Sequence, residues 1–350
     1  MNAPAEPLGT APPPRDARIL ALRLSALGDV VFAMPAVLAL RQLVPEGRVD
    51  WLTEDRHAEL LRGFPGVDEV LSFPRRAWGR RGGARAMLRH LRALRGRRYD
   101  LVVDFQGNLK SALQLLTARA PRKLGFDRPA AREGAQRFLS ERVADPGRVH
   151  RAERDLRLAR RLGFTGDAPA PGPWPLPVPA AAPVAGDRRP RVLLHTSVTA
   201  YGRDKEWPRP RWVELARGLD GAGLRVELLW TGGQRAEVED LAESTGCAFL
   251  APATPGLHHL MALTDAADLL IGTDSGPLHL ASLRGTPVVG LYGPTDPLRY
   301  APPGPRQRVV SVLPEGEAPP VRDRSCRSPL MDALDAASVQ RAALDLLHRE

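Results

Sequence analysis

The chain has 350 residues, of which 43% are hydrophobic, and its formal net charge at pH 7 is +10. The length favours two domains, and the hydrophobic fraction suffices for two cores. Two distant cysteines, Cys247 and Cys326, exclude a disulfide framework and a cysteine metal site, which fits a reducing cytoplasm. No apolar run approaches the ~18 residues that cross a bilayer. Residues 1–17 lack the apolar segment of a signal peptide and are predicted to be a disordered leader.

The positive charge is concentrated in one segment of the N-terminal half. Residues 75–161 contain 24 lysines and arginines against 8 aspartates and glutamates, whereas the rest of the chain has 26 basic and 32 acidic residues. Such a segment favours an anionic partner, and the candidates are a nucleic acid, a phosphorylated substrate and an anionic membrane surface. Arginine runs are also common on solvated helix faces. Only three of the fifty basic residues are lysines, and each is a candidate for a position that requires a compact ammonium group: Lys110, Lys123 and Lys205.

The first half alternates strands with helices, which predicts a parallel, doubly wound α/β sheet. Its strands are predicted at 18–24, 48–52, 69–73, 101–105 and 123–126. Its helices are predicted at 30–43, 58–62, 80–98, 109–118 and 151–162. The long basic helix at 80–98 is expected to place its apolar residues on one side: Met87, Leu88, Leu91 and Leu94.

Residues 166–190 are dominated by Pro, Ala and Gly and are predicted to link two domains, at 18–165 and 191–330. The second domain is predicted to have strands at 191–195, 225–230, 248–250, 269–273 and 287–291. Its helices are predicted at 212–219, 235–243, 257–266 and 278–283. A helix at 336–347, within the C-terminal segment 331–350, is expected to pack back towards the N-terminal domain. Neither half has a GxGxxG fingerprint or a P-loop, which disfavours a dehydrogenase and an ATPase.

The stretch 268–297, DLLIGTDSGPLHLASLRGTPVVGLYGPTDP, predicts strand, turn, helix, strand and second turn. Asp274 and Ser275 are good N-cap residues, and Pro277 suits the first helical turn. Two strand ends and a helix N-terminus then meet at one edge of a sheet, where open α/β sheets bind ligands. A helix N-terminus favours an anion such as phosphate, although the same turn can serve only to join strand to helix.

Asp29 follows a glycine at the end of the first predicted strand and opens a helix. Its carboxylate is either a helix N-cap or a general base whose pKa a nearby apolar wall would raise.

Lys205 lies in a polar loop after the strand at 191–195, where an ammonium group either neutralises a diphosphate or is simply exposed to solvent. Thr196, Ser197 and Thr199 precede it and can donate hydroxyl hydrogen bonds to phosphate, although such residues are also ordinary in loops.

His279 lies on the predicted helix after Asp274. A lone histidine on a short helix is more often a packed or capping residue than a catalyst. The adjacent histidines His258 and His259 have no further potential metal ligands at a suitable spacing in the sequence, so no metal site is predicted. Three tryptophans are expected to pack in the core, although one of them can instead stack on a base: Trp207, Trp212 and Trp230.

Six pieces of sequence together resemble glycosyltransferase family 9, the lipopolysaccharide heptosyltransferases, over residues 18–347. The pieces are RLSALGDVVFAMP (23–35), DFQGNLKSA (104–112), GFDRPAARE (125–133), DKEWP (204–208), TDSGPLH (273–279) and YGPTDP (292–297). Six pieces in the family's order are far more specific than any one of them. GFDRPAARE in particular is similar to the subgroup that adds the first heptose to the inner core.

The resemblance implies a GT-B architecture, in which two Rossmann-like domains face each other across a cleft. It implies that the N-terminal half binds the acceptor, that the C-terminal half binds ADP-heptose, and that the reaction inverts the anomeric carbon without a metal or cofactor. Asp29 matches the family's general base, and Lys205 matches the lysine that stabilises the departing diphosphate. The remaining expected site residues are Thr196, Ser197, Thr273, Asp274, Ser275, Gly276 and His279 for the donor and Lys110 and Arg132 for the acceptor.

The acceptor implied by the resemblance is an anionic, lipid-linked Kdo core at the inner membrane. The enzyme is therefore expected to be cytoplasmic, peripheral to the cytoplasmic face of that membrane, and monomeric. The basic segment 75–161 lies in the half that would meet this acceptor, so acceptor affinity is expected to fall more steeply with salt than donor affinity.

The chain departs from the family in the loop after the strand that ends at Trp230. First-heptose enzymes have a glutamate there that holds the ribose hydroxyls, whereas this chain has Gln234 or Arg235, with Glu237 as the nearest substitute.

Three alternatives to this function remain open. One is a GT-B nucleotide-sugar epimerase or hydrolase, and another is a family 9 transferase with a different sugar. The third is a basic nucleic-acid-binding protein, which the lack of aromatic residues among the arginines disfavours.

Overall fold

The computed structural model describes residues 11–77, 80–179, 181 and 186–348. The chain divides into two compact units between Trp174 and Pro175, within the predicted linker. Residues 1–10 of the predicted leader lie outside the described residues. The last residues of the predicted leader are hydrogen-bonded to the first unit. Arg15 O accepts from Glu46 N at 3.1 Å, and Ala17 O accepts from Arg48 N at 3.0 Å. The ordered first unit therefore begins before residue 18.

The first unit is built on a six-stranded parallel sheet, as the alternating pattern predicts. Its strands are β1 (Arg18–Leu22), β2 (Arg48–Glu54), β3 (Glu69–Phe73), β4 (Leu101–Asp104), β5 (Arg122–Phe126) and β6 (Glu141–Val143). Their order in the sheet is β3-β2-β1-β4-β5-β6. β6 is missing from the sequence prediction because three residues are too few to show a pattern.

Three α-helices connect strands of this sheet, namely α1 (Leu27–Leu43), α2 (Gly83–Arg95) and α3 (Leu109–Thr117), and α4 (Arg151–Arg161) follows β6. Short 3₁₀ turns lie at Ala58–Leu61, Arg75–Ala77 and Ala135–Phe138. α1 packs against α4, and α2 packs against α3. The predicted apolar side of α2 is wrong in one position: Leu94 is buried, but Leu88 is 48% exposed. Met87 and Leu88 are adjacent and therefore point about 100° apart around the helix axis, and of the two only Met87 is partly buried.

The second unit repeats the plan with a second parallel sheet. Its strands are β7 (Arg191–His195), β8 (Arg225–Leu228), β9 (Phe249–Leu250), β10 (Leu269–Thr273), β11 (Val288–Tyr292) and β12 (Gln307–Ser311), in the order β12-β11-β10-β7-β8-β9. Its helices are α5 (Arg209–Gly221), α6 (Arg235–Thr245), α7 (Leu257–Asp265), α8 (Gly276–Arg284), α9 (Pro297–Tyr300), α10 (Pro329–Asp332) and α11 (Ala336–Leu347), with 3₁₀ turns at Ala200–Lys205 and Gly232–Gln234.

The C-terminal helix α11 contacts α5, β10, β11 and β12, so it packs against its own unit. Val339, Ala343 and Leu346 enter the core of this unit, and Gln340 Nε2 donates to Gly218 O at 2.9 Å. We find no helix in the described part of the chain that is long and apolar enough to cross a membrane.

In each sheet the order in which the chain adds strands reverses at the centre. This reversal lies between β1 and β4 in the first unit and between β7 and β10 in the second. At such a switch point the connections leave the carboxyl ends of two neighbouring strands on opposite sides, and a crevice opens between them. The loops after these four strands are where the fold places a ligand site.

Candidate functional site

Asp29 lies in the first turn of α1, close to the carboxyl end of β1. The helix begins before the predicted position, at Leu27, and its N-cap residue is Ala26, so the N-cap interpretation of Asp29 is wrong. Its Oδ2 instead accepts from the backbone N–H of Ala26 at 3.4 Å. An acidic side chain in the first turn is stabilised by the helix dipole.

Two arginines hold the Asp29 carboxylate. Arg23, buried at the end of β1, places Nη2 3.0 Å from Asp29 Oδ1 and donates from Nε to Asp29 O at 3.3 Å. Its Nη1 donates to Phe105 O, which fixes the guanidinium against the end of β4. Arg151, at the start of α4, approaches the same Asp29 Oδ1 with Nη2 at 3.3 Å.

These arginines decide the ionisation of Asp29. Burial alone raises its pKa, but the positive charges of Arg23 and Arg151 and the hydrogen bond from Ala26 outweigh burial and lower the pKa below the ordinary value. The expectation that an apolar wall raises this pKa is therefore wrong. With its side chain 28% exposed, Asp29 is a carboxylate at neutral pH that solvent or a substrate can reach.

A second carboxyl group, Asp155 of α4, lies behind Arg23. It is fully buried, and its Oδ2 is 3.9 Å from Arg23 Nη2. Neither of its oxygens has a hydrogen-bond partner in the described part of the chain, and burial raises its pKa. Sequence reasoning missed Arg23, Arg151 and Asp155, because β1 and α4 are separated by more than one hundred residues in sequence. The only local signal is a carboxylate on the inward face of an arginine-rich helix.

Two predicted acceptor residues lie at the same edge of the first sheet. α3 begins after Asn108, whose side chain accepts from Lys110 N at 3.1 Å. Lys110 Nζ is 3.1 Å from Oε1 of the buried Glu54, at the end of β2. Arg132 donates its backbone N–H to Gly107 O at 2.8 Å, which holds its loop beside the start of α3, and its side chain is exposed.

The loop after β4 also contacts the loop that carries Asp29. Gln106 Oε1 accepts from Leu24 N at 3.0 Å and from Ser25 N at 3.2 Å. The first unit thus brings the carboxylate of Asp29 and the acceptor candidates to one edge of its sheet. The lysine at position 123 has a structural role instead, because its Nζ donates to Leu115 O.

In the second unit, Lys205, Asp274 and His279 form one cluster. Lys205 Nζ donates to Asp274 O at 2.5 Å and lies 3.3 Å from Asp274 Oδ2. His279 Nε2 is 2.8 Å from Asp274 Oδ1. The Lys205 side chain is only 19% exposed, so the interpretation of Lys205 as a solvated loop residue is wrong.

Burial raises the pKa of Asp274, but the positive charge of Lys205 and the hydrogen bond with His279 outweigh burial and hold the pKa well below its usual range. Behind the cluster, His195 Nδ1 is 3.2 Å from Ser275 Oγ. Burial, together with the charge of Lys205, lowers the pKa of His195 to about 4, so this histidine is neutral at neutral pH. Sequence reasoning missed His195, which looks like the last residue of an ordinary buried strand.

The residues on both sides of Lys205 are anchored to the core. Asp204 is fully buried and binds Arg322 through two contacts, Nε–Oδ2 at 2.5 Å and Nη2–Oδ1 at 2.8 Å. Trp207 is buried, as predicted, and donates Nε1–H to Leu334 O at 3.1 Å. A bidentate pair and a buried indole fix the backbone, so the position of the ammonium group does not depend on a mobile loop.

The remaining donor candidates surround the carboxyl ends of β7 and β10. Ser275 is the N-cap residue of α8, although its side chain forms no capping hydrogen bond in the described part of the chain, and Gly276 is the first residue of the helix. A cavity of about 420 Å³ lies beside the Lys205 loop, and its lining includes Thr196, Ser197 and Glu237. In the described part of the chain, the buried hydroxyl groups of Ser197 and Thr273 have no hydrogen-bond partner. No group of three or more potential metal ligands occurs among residues 11–77, 80–179, 181 and 186–348.

The comparisons with known proteins agree with this fold. The sequence profile of glycosyltransferase family 9 (heptosyltransferase) matches residues 87–330. Lipopolysaccharide heptosyltransferase 1 of Pseudomonas aeruginosa is 32% identical and covers 80% of this chain and 79% of its own length. The enzyme of the same name from Salmonella typhimurium is 30% identical and covers 80% and 89%, respectively. The solved structure of Escherichia coli heptosyltransferase WaaC with ADP is 25% identical, covers 94% of this chain and 99% of its own, and has a TM-score of 0.75.

The fold is GT-B, as the resemblance implies: two α/β units, each with a six-stranded parallel sheet. The profile covers well over half of the chain. The protein is a glycosyltransferase and belongs to glycosyltransferase family 9.

Proposed function

We propose that this protein is an inverting, metal-independent heptosyltransferase that moves a heptose from ADP-heptose to the Kdo region of the lipopolysaccharide inner core. The observation that carries the proposal is the cluster of Lys205, Asp274 and His279 at the N-terminus of α8. The relatives from Salmonella and Pseudomonas are lipopolysaccharide heptosyltransferases, which supports the acceptor class. The WaaC structure contains ADP, which supports the nucleotide.

In the proposed reaction, Asp29 takes the proton of the acceptor hydroxyl as its oxygen bonds to the anomeric carbon. The bond from that carbon to the diphosphate breaks on the opposite face, so the configuration inverts and ADP leaves. The lowered pKa of Asp29 keeps it ionised throughout the neutral range. Such a weak base accepts the proton only once the new carbon–oxygen bond is forming, because bonding to carbon acidifies the hydroxyl.

Lys205 stabilises the negative charge that develops on the departing diphosphate. A positioned ammonium is worth most at the moment when charge develops, and the anchored residues on either side of it keep it in place. The N-terminus of α8 adds backbone N–H groups to the same place. The hydroxyls of Ser197 and Thr273, which have no hydrogen-bond partner in the described part of the chain, are further donors for phosphate oxygens, and we propose that these donors together replace a metal ion.

The cavity of about 420 Å³ beside the Lys205 loop has the size of a small-molecule site, and we assign it to the nucleoside part of the donor. Its lining contains two glutamates, Glu206 and Glu237, and we assign Glu237, in the helix after β8, as the acceptor for the ribose hydroxyls in place of the family's glutamate. Thr196 and Ser197, which also line the cavity, follow directly after the last residue of β7.

We further propose that Lys110 and Arg132 bind the anionic acceptor and that the protein acts as a cytoplasmic monomer at the inner membrane. Lys110 is held by Glu54 rather than free, so it presents a fixed cation at the edge of the sheet. Acceptor affinity should therefore decrease with salt more steeply than donor affinity.

The experiment that tests this function is incubation of purified protein with ADP-heptose and a deacylated Kdo acceptor, with and without EDTA. We expect a heptosylated product of inverted anomeric configuration, detected by mass spectrometry and NMR, at an unchanged rate in EDTA. Release of ADP that is equally fast without acceptor would identify a hydrolase instead. Loss of activity in EDTA that added metal restores would contradict the metal-independent mechanism.

A further inference from the structure

The outward face of α2 is a stripe of arginines. Arg85, Arg89, Arg92 and Arg95 follow one another at intervals of four, three and three residues, which places them on one side of the helix. All four are exposed, and Leu88 lies among them. α2 contains no aspartate or glutamate, so this face has no negative charge of its own.

These arginines are also unpaired. In the described part of the chain, none of the four forms an ion pair, whereas neighbouring arginines of the same unit do. Arg97 contacts Glu69 at 2.5 Å, and Arg122 contacts Glu141 at 2.7 Å. Other exposed arginines of the unit, such as Arg62, also have no ion pair in the described part of the chain, so what distinguishes this face is that four such arginines lie on one side of one helix.

The neighbouring helix α3 adds exposed apolar residues to the same side of the sheet. His90 Nε2 is 2.8 Å from Gln114 Oε1, which ties α2 to α3. On α3, Leu109 is 63% exposed and Leu116 is 56% exposed. We call the exposed faces of these two helices the α2–α3 surface, defined by Arg85, Leu88, Arg89, Arg92, Arg95, Leu109 and Leu116.

We propose that the α2–α3 surface binds the headgroup region of an anionic phospholipid bilayer. Arginines attract anionic lipids, and exposed leucines on the same face can enter the boundary between headgroups and acyl chains. A nucleic acid is the other polyanion that such a stripe attracts, but single strands are held by stacking on aromatic rings. Neither α2 nor α3 contains Phe, Tyr or Trp, so the composition of the surface favours lipid.

The position of the α2–α3 surface suits an enzyme that acts on a lipid-linked acceptor, an argument that rests on the proposed function. Leu109 is the first residue of α3, at the carboxyl edge of the sheet, and the acceptor candidate Lys110 follows it directly. A bilayer bound here lies beside the edge that carries the acceptor residues. A lipid-linked acceptor could then reach that edge while its acyl chains stay in the membrane.

The test is a vesicle flotation assay on the full chain, without donor or acceptor, so that its result does not depend on heptosyl transfer. The variant Arg85→Glu/Arg89→Glu/Arg92→Glu is compared with wild type on phosphatidylcholine vesicles with and without 30% phosphatidylglycerol. At about fivefold per arginine, we expect its partition into the anionic vesicles to be at least about a hundredfold weaker. Glutamate is as good a helix former as arginine, and circular dichroism checks that the fold is kept.

A matched control reverses three exposed arginines elsewhere that have no ion pair in the described part of the chain: Arg62→Glu/Arg188→Glu/Arg324→Glu. This control changes the net charge equally and should keep most of the binding. Equal losses in both variants would overturn the proposal, because only the overall charge would then matter.

Two further results separate lipid from nucleic acid. Leu88→Gln/Leu116→Gln leaves the charge unchanged and should weaken vesicle binding several-fold, since both side chains are exposed and neither supports the core. Undiminished binding of this variant would overturn the insertion of the leucines. Tight binding of an oligonucleotide at physiological salt, lost in the triple arginine variant, would assign the surface to nucleic acid.

Discussion

The ion pair between Lys205 and Asp274 makes a quantitative prediction for stability. At a separation of 3.3 Å and an effective dielectric constant of about 20, two unit charges attract each other by about 5 kcal/mol before desolvation is counted. Desolvation offsets much of this attraction. Asp274 also keeps His279 as a second partner. We therefore expect Lys205→Met to lower the free energy of unfolding by about 3 kcal/mol, and a double-mutant cycle with Asp274→Asn to give a coupling energy of about 2 kcal/mol.

The pH dependence of this effect has a definite sign. The pKa of Asp274 is lowered from the ordinary 3.8 in the folded protein, so the pair stabilises the fold fully above pH 3.8 and loses this effect as the pH falls through the folded-state pKa. The assay is urea unfolding of wild type, both single variants and the double variant at pH 7, 5 and 3. Additive losses at pH 7 would show that the two side chains do not interact, and the reasoning on the site would be wrong.

Four other substitutions test separate features of the two units. Asp155→Asn removes a buried carboxyl whose pKa burial raises; it should increase the free energy of unfolding at pH 7, and the gain should vanish below pH 3.8, where the wild-type carboxyl is protonated in both the folded and the unfolded chain. Lys110→Ala and Arg132→Ala should each raise the KM for the acceptor about tenfold without changing the KM for ADP-heptose; equal changes in both constants would contradict the acceptor assignment. Glu237→Gln should weaken ADP binding about tenfold in calorimetry, whereas Glu239→Gln, on the same helix but outside the lining of the cavity, should leave it unchanged.

Sequence reasoning worked best where the signal is local. β10 has the predicted bounds, Leu269–Thr273, because an unbroken apolar run of this length is typical of a buried parallel strand. The helix after it extends from Gly276 to Arg284, and its C-cap residue is Gly285, which has a φ of 104°. That left-handed conformation is one that glycine adopts without strain, so the predicted helix end near this residue is confirmed.

Sequence reasoning failed where partners come from distant elements. Nothing near Asp29 in sequence indicates that Arg151 of α4 contacts its carboxylate, so the predicted direction of its pKa was wrong. The strand β12, Gln307–Ser311, was missed because all of its residues are only partly buried, and its pattern is therefore weak. A contact across a switch point depends on tertiary packing, which no local pattern contains.

The central claim is that Asp29 supplies the base of the transfer reaction, whereas Lys205 holds the diphosphate of the donor. The most direct test measures two quantities for Asp29→Asn. One is kcat with ADP-heptose and a deacylated Kdo acceptor, and the other is the affinity for ADP. We expect kcat to fall about a thousandfold while the Kd for ADP stays within about twofold of the wild-type value. A variant that transfers heptose at the wild-type rate, or that loses ADP binding in proportion to its activity, would contradict it.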